Sequence, residues 1–193
     1  MTETPTFSKE VLERYAGDNT WLDTTKAYIG DLEGGFHATP YRVKNKDGSE
    51  GNLTIGHGFE YINGKPVTED MVLTEEESNK ILEDKIMSID SYFLENYPAY
   101  GDMTPNQKAG ITSFAYNLGQ YVVDDPGNKI LRKAMLSGDI NEIAKAMLLY
   151  YKGSNGKRNE GLVNRRNDEV ELILKNKNRG FSYEYWKTIT KGF

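Results

Sequence analysis

The chain has 193 residues, 37% apolar and 27% charged, with a formal net charge of −5 and no cysteine. That length supports a core large enough for one compact domain, divisible into two lobes. The composition excludes disulfide staples, thiol catalysis and cysteine-bound metal, and the acidic balance argues against nucleic acid, whose partners usually present a basic face.

The chain begins "MTETPTFSKEVLERYAG". It has neither a basic start nor an apolar core there, so no secretory signal is expected and synthesis in the cytoplasm follows. Residues 1–22 read as an N-terminal extension, with a short helix over 8–16 closed by Gly17. A second helix is predicted from Asp23 to Glu33, with Leu22, Ile29 and Leu32 on one stripe and Gly34–Gly35 as its stop. From 36 to about 67 the texture turns β-like. "YRV" and "NLTI" are short strand runs, and "KDGSEG" and "INGKP" are turns, together a small hairpin or three-stranded sheet.

Helices follow. A long one over about 75–97 opens with a Thr74–Glu77 capping box and repeats Ile81, Leu82, Ile86, Ile89 and Phe93 at helical spacing. "TPNQKAGITSFAYNLG" is capped by Thr104, with Pro105 at its first position and Gln107 closing the box, and ends at Gly119. "DINEIAKAMLLYY" repeats the device with Asp139 and Glu142. "EGLVNRRNDEVELILKNK" and a last helix within 179–193 complete the chain. The predicted fold class is α+β: a small β-containing lobe (about 36–67), a linking helix, and a helical lobe (about 104–178), within a domain spanning 23–178. No run of about 18 apolar residues exists, so no membrane span is expected.

Several side chains are candidates for chemistry. Glu33 sits in the last turn of its helix, where the dipole disfavours a negative charge. It is either a solvated surface carboxylate or a general acid at the rim of a cleft. In "GNLTIGHGFEY" the glycines either allow close backbone packing or clear space for a bulky ligand beside Thr54. His57 reads as a hydrogen-bonded structural residue or as a cleft residue. With only His37 as a partner and no HExxH, a metal site is not expected. Asp47, Glu50 and Glu60 are the acids that could accompany Glu33. Asp47 lies in a turn and Glu50 reads as solvated. Glu60 is six residues after Thr54, which places both on one face of an uninterrupted strand. Tyr116 and Asn117 in "SFAYNLG" either pack in the core or face a cleft, where Asn117 could bind amides. Arg165–Arg166 is a solvated pair or the source of a guanidinium that orients a carboxylate.

Taken in order, "LEGG…Y", "GNLTIGHG", "SFAYNLG" and "EGLVNRRNDE" resemble the phage-type lysozymes, or endolysins, over roughly 23–174. The resemblance implies a lysozyme-like fold with its cleft between the lobes. It also implies hydrolysis of the β-1,4 bond between N-acetylmuramic acid and N-acetylglucosamine in peptidoglycan. Glu33 matches the family's acid and Thr54 the threonine that positions water. Tyr41, His57, Tyr116 and Asn117 match substrate-contacting positions, and Arg165 a basic residue that approaches the acid. Two departures stand out. Gly48 lies six before Thr54, where many members have an acid, so Asp47 is one place off. "TIGHGFE" replaces the usual "TIGxGH" and is similar to the pesticin-like branch, in which the second carboxylate follows the "GF" pair. That favours Glu60 over Asp47.

The expected mechanism is inverting acid/base hydrolysis, which needs carboxyls roughly 6.5–9.5 Å apart and no metal or organic cofactor. Peptidoglycan strands are the expected partner, and a monomer the expected state. Two alternatives remain: a peptidoglycan-binding module without activity, suggested by Gly48, and a lytic transglycosylase leaving 1,6-anhydro ends. The sequence leaves open a phage endolysin, a virion-borne enzyme or a bacteriocin module.

Overall fold

The computed structural model describes residues 21–44, 50–153 and 155–175. The expected short helix over 8–16, Asp47, and the final helix of 179–193 lie outside the described residues. The chain forms two compact units. One is Lys26–Ser88. The other takes Ile89 onward together with the residues before Lys26.

The unit Lys26–Ser88 begins within helix α1 (Trp21–Leu32). Strands β1 (His37–Lys44) and β2 (Glu50–Gly56) pair antiparallel, with Tyr41 opposite Thr54 and Arg42 opposite Leu53. A second, separate hairpin joins β3 (Tyr61–Ile62) to β4 (Lys65–Pro66) across Asn63–Gly64. Both turn residues have positive φ, the geometry that makes Asn-Gly a favoured two-residue hairpin loop. The β region is thus two two-stranded pairs, not one three-stranded sheet.

Helix α2 (Glu75–Asn96) starts where its capping box predicts. The Thr74 amide donates to Glu77 Oε2 at 2.8 Å and the Glu77 amide returns to Thr74 Oγ1 at 3.2 Å. Four-residue spacing turns Ser78, Leu82 and Ile86 to one face, and all three are buried. They belong with Tyr28, Ile29, Ile55, Phe59 and Val67, the other buried apolar side chains among this unit's described residues.

The second unit is helical. It continues α2 from Ile89 and adds α3 (Pro105–Leu118), α4 (Lys129–Ser137), α5 (Ile140–Met147) and α6 (Glu160–Leu174). Thr104 caps α3 with the reciprocal Gln107 box, and Asp139 caps α5 by accepting from the amides of Asn141 and Glu142. Phe93, Tyr97, Tyr100, Phe114, Ile143, Met147 and Ile173 anchor one continuous apolar core. Helices α3 and α6 meet at Gly110, where a Cβ would stand 2.3 Å from Ile173 Cγ2. The architecture is α+β, as its patterning predicts.

Candidate active site

Glu33 follows directly on α1. Its amide still bonds to the Ile29 carbonyl at 3.0 Å, and the Gly35 amide returns to Gly30 at 3.0 Å. The side chain is therefore fixed at the negative end of a helix, half-buried rather than fully solvated. Its carboxylate lies against Gly58: a Cβ there would be 2.9 Å from Glu33 Oε2.

That contact depends on a reversal of the chain. Gly56 (φ 65°) and Gly58 (φ 79°) both occupy the left-handed region, which costs a residue with a Cβ roughly 1–2 kcal/mol. At Gly56 a side chain would also strike Ser78 Oγ at 2.6 Å. The turn brings Phe59 back against Ile55, with two backbone hydrogen bonds of 2.9 and 3.0 Å between them.

The expected single strand carrying both Thr54 and Glu60 is therefore corrected: β2 ends at Gly56 and the chain doubles back. Beyond the isolated Ile55–Phe59 bridge the returning chain reaches Glu60, outside any strand, on the same side of the turn as β2. Asn52, two residues before Thr54, accordingly donates from Nδ2 to Glu60 Oε2 at 3.0 Å. Thr54 donates its hydroxyl to the Tyr41 carbonyl at 3.2 Å, leaving oxygen lone pairs as acceptors. The Tyr41 ring stacks on His37 at 4.1 Å.

His57 was expected along the substrate and is instead buried, at 6% exposure. Its Nδ1 lies 2.7 Å from Ser78 Oγ, and its ring sits between Phe36 and Phe59. Burial lowers its pKa below the usual histidine value, opposed by Glu75 and Glu33 and assisted by His37. The neutral ring is a packing element of the turn.

Lys85, which sequence reasoning passed over, reaches the same turn from α2. Its Nζ stands 4.7 Å from the Phe59 ring centroid. Burial lowers its ammonium from the usual lysine range, opposed by the Glu33 and Glu60 carboxylates. Asn52 was also missed, although strand alternation from Thr54 points to it.

The remaining candidates belong to the helical unit. Asn117 Oδ1 accepts from Arg166 Nη2 at 2.8 Å, and Tyr116 packs against the core. Arg165 Nε donates to Glu169 Oε1 at 3.2 Å, Arg166 Nε pairs with Glu169 Oε2 at 3.0 Å, and the Ser113 hydroxyl donates to Glu169 Oε1 at 2.8 Å. Arg166 also lies over the Phe114 ring at 4.7 Å. Burial raises the Glu169 carboxyl, opposed by Arg166, Arg165 and Ser113.

A carboxyl at a helix end, pressed on a glycine turn that lies between a strand threonine and a second carboxylate, makes a candidate acid-centred site on an α+β scaffold. Comparison with known proteins gives the class its family. The sequence profile of the phage lysozymes matches residues 32–169, and the chain belongs to that family. An endolysin of Bacillus phage B103 is 30% identical over 144 residues, and the chain spans about half of it, 51% of its length. Among solved structures, an endolysin from Escherichia coli O157:H7 phage FAHEc1 is 26% identical with a TM-score of 0.63, covering 82% of this chain and 95% of that one. The active form of P1 phage endolysin Lyz is 21% identical with the same TM-score of 0.63, covering 88% and 96%, a likeness of fold. The fold is thus lysozyme-like. No described helix is long and apolar enough to cross a membrane.

Proposed function

We propose that the protein is a muramidase that lyses bacterial cell walls by hydrolysing the β-1,4 bond between N-acetylmuramic acid and N-acetylglucosamine. The observation that carries this reading is the Glu33 carboxyl against Gly58, in the turn between Thr54 and Glu60. Family membership supports the glycosidase class, and the endolysin relatives support peptidoglycan as substrate.

Glu33 acts as general acid and delivers its proton to the glycosidic oxygen as the bond to the muramic carbon breaks. Glu60, with Asn52 holding one of its oxygens, accepts a proton from water on the opposite face of the sugar, and the Thr54 hydroxyl orients that water. The water oxygen becomes the new anomeric hydroxyl, with inversion. Tyr41, opposite Thr54, contacts the glycan. No metal or organic cofactor takes part. The enzyme acts as a monomer, made in the cytoplasm and working on the wall.

Muropeptide mass spectrometry of purified walls tests this reading. Wild type should release reducing muramic ends carrying one solvent oxygen, initially as the α anomer by proton NMR. Glu33→Gln should cut release by about 10²–10⁴-fold with the melting temperature unchanged or raised. Products with 1,6-anhydro ends, or undiminished release by Glu33→Gln, would overturn it.

A further inference from the structure

Two charged side chains, from different helix ends or faces, meet the segment Gly58–Phe59–Glu60, which carries a third charge of its own at Glu60. Glu33, from the end of α1, rests against Gly58. Lys85, from α2, has its ammonium over the Phe59 ring. Glu60 is the next residue, held by Asn52. All lie in the unit Lys26–Ser88. Lys85 is placed by helical phase: it flanks the buried face formed by Leu82 and Ile86, which are 1% and 0% exposed. Its aliphatic stem therefore follows the apolar face while its end reaches the turn.

Burial alone disfavours an ammonium, and Glu33 and Glu60, in that order, are the carboxylates that favour it. The face of Phe59 adds a cation–π attraction. His57, the other titratable group in contact with the turn, has Glu75, Glu33 and His37 as its charged neighbours and is neutral through burial.

We propose that Lys85 is a positioning residue for the carboxyl pair: one ammonium, seated on Phe59, is the shared counter-charge of Glu33 and Glu60. The catalytic meaning rests on the muramidase reading; the shared charge does not. When Glu33 gives its proton to the leaving oxygen and Glu60 takes one from water, the pair's negative charge passes from Glu60 to Glu33. A cation fixed in advance between their demands stabilises that charge as it develops, without reorganisation.

The full-length protein provides two independent readouts. The first needs no activity: NMR titration of the Lys85 side chain in wild type, Glu33→Gln and Glu60→Gln. Each variant removes an anion that favours the ammonium, so Lys85 should lose its proton at lower pH in both. A Lys85 titration left unmoved by either variant overturns the proposal. The second is the pH profile of wall hydrolysis. Lys85→Met should lower kcat about tenfold or more and move both limbs to higher pH by about one unit, the effect of deleting a nearby opposite charge. Lys85→Arg should keep both limbs in place. A purely structural lysine would change the melting temperature and leave the limbs where they are, which would also overturn the proposal. If wild type hydrolyses no wall while the Lys85 titration responds to both variants, the muramidase reading fails and the shared counter-charge stands.

Discussion

In the helical unit, Arg166 and Glu169 are both 0% exposed, and the Glu169 carboxylate is met by Arg165, Arg166 and Ser113. In the unit Lys26–Ser88, Glu60 is exposed, Glu33 half-buried, and their surroundings are glycines. The two clusters use the same residue types for different ends. A fully buried carboxylate met by two guanidiniums and a hydroxyl is out of a substrate's reach. A half-buried carboxylate against a glycine is partly open to solvent. The helical cluster ties α3 to α6; the turn cluster is the proposed seat of chemistry.

Breaking the enclosed cluster should give the largest change in stability. Glu169→Gln leaves the Arg166 guanidinium buried without its carboxylate and should cost about 3–5 kcal/mol, read from urea unfolding. Glu33→Gln should leave the unfolding midpoint close to wild type while removing activity. If Glu169→Gln were as stable as wild type yet inactive, the division between the two clusters would be false.

Asp168 offers the next test, through pH. Burial first, then Glu171 and Glu169, raise its carboxyl from 3.8 to about 7. A raised folded-state value makes the group a liability at high pH. Below about pH 4 the folded and unfolded chains are both protonated there, and no penalty exists. Between 4 and 7 the unfolded chain ionises while the folded one does not, so the penalty grows, and above 7 it is complete, at most about 4 kcal/mol. Asp168→Asn should therefore gain on wild type as pH rises from 4 to 8. A gain that is the same at both pH values would show that this carboxyl is not held protonated.

Features decided within a few residues were legible in the sequence: the Thr74 and Thr104 boxes, the Asn63–Gly64 turn, and the end of α1 at Gly34. The course of the chain after Thr54 was not legible: an even spacing of six predicts one face of a straight strand, but positive φ at Gly56 and Gly58 reverses the chain. His57 shows the limit of residue type: a histidine between two glycines reads equally as a hydrogen-bonded structural residue or a cleft residue until Ser78, Phe36 and Phe59 are seen around it. Arg165 and Arg166 are equivalent as a dipeptide, and only the phase of α6 buries Arg166. Lys85 carried no signal, because its partners are 25 and 52 residues earlier in the chain and meet it only in the folded unit.

The smallest effects come from one substitution made in both units. Gly110→Ala puts a methyl 2.3 Å from Ile173 Cγ2 and 2.9 Å from the Glu169 carbonyl oxygen, at a helical position with no positive φ. The backbone accepts alanine there, so the cost is overpacking, about 1–3 kcal/mol, and it should appear in thermal unfolding with activity per folded molecule retained. Gly58→Ala meets a side chain instead, Glu33 Oε2 at 2.9 Å, on a backbone at φ 79°. Its stability cost should be about 1–2 kcal/mol from the left-handed backbone. The carboxylate must also move away, so wall hydrolysis should fall by more than the loss of folded protein explains. The decisive quantity is the ratio of the two effects. If Gly58→Ala loses activity only in proportion to unfolding, the glycine serves the turn alone, and contact with it does not set the position of the acid.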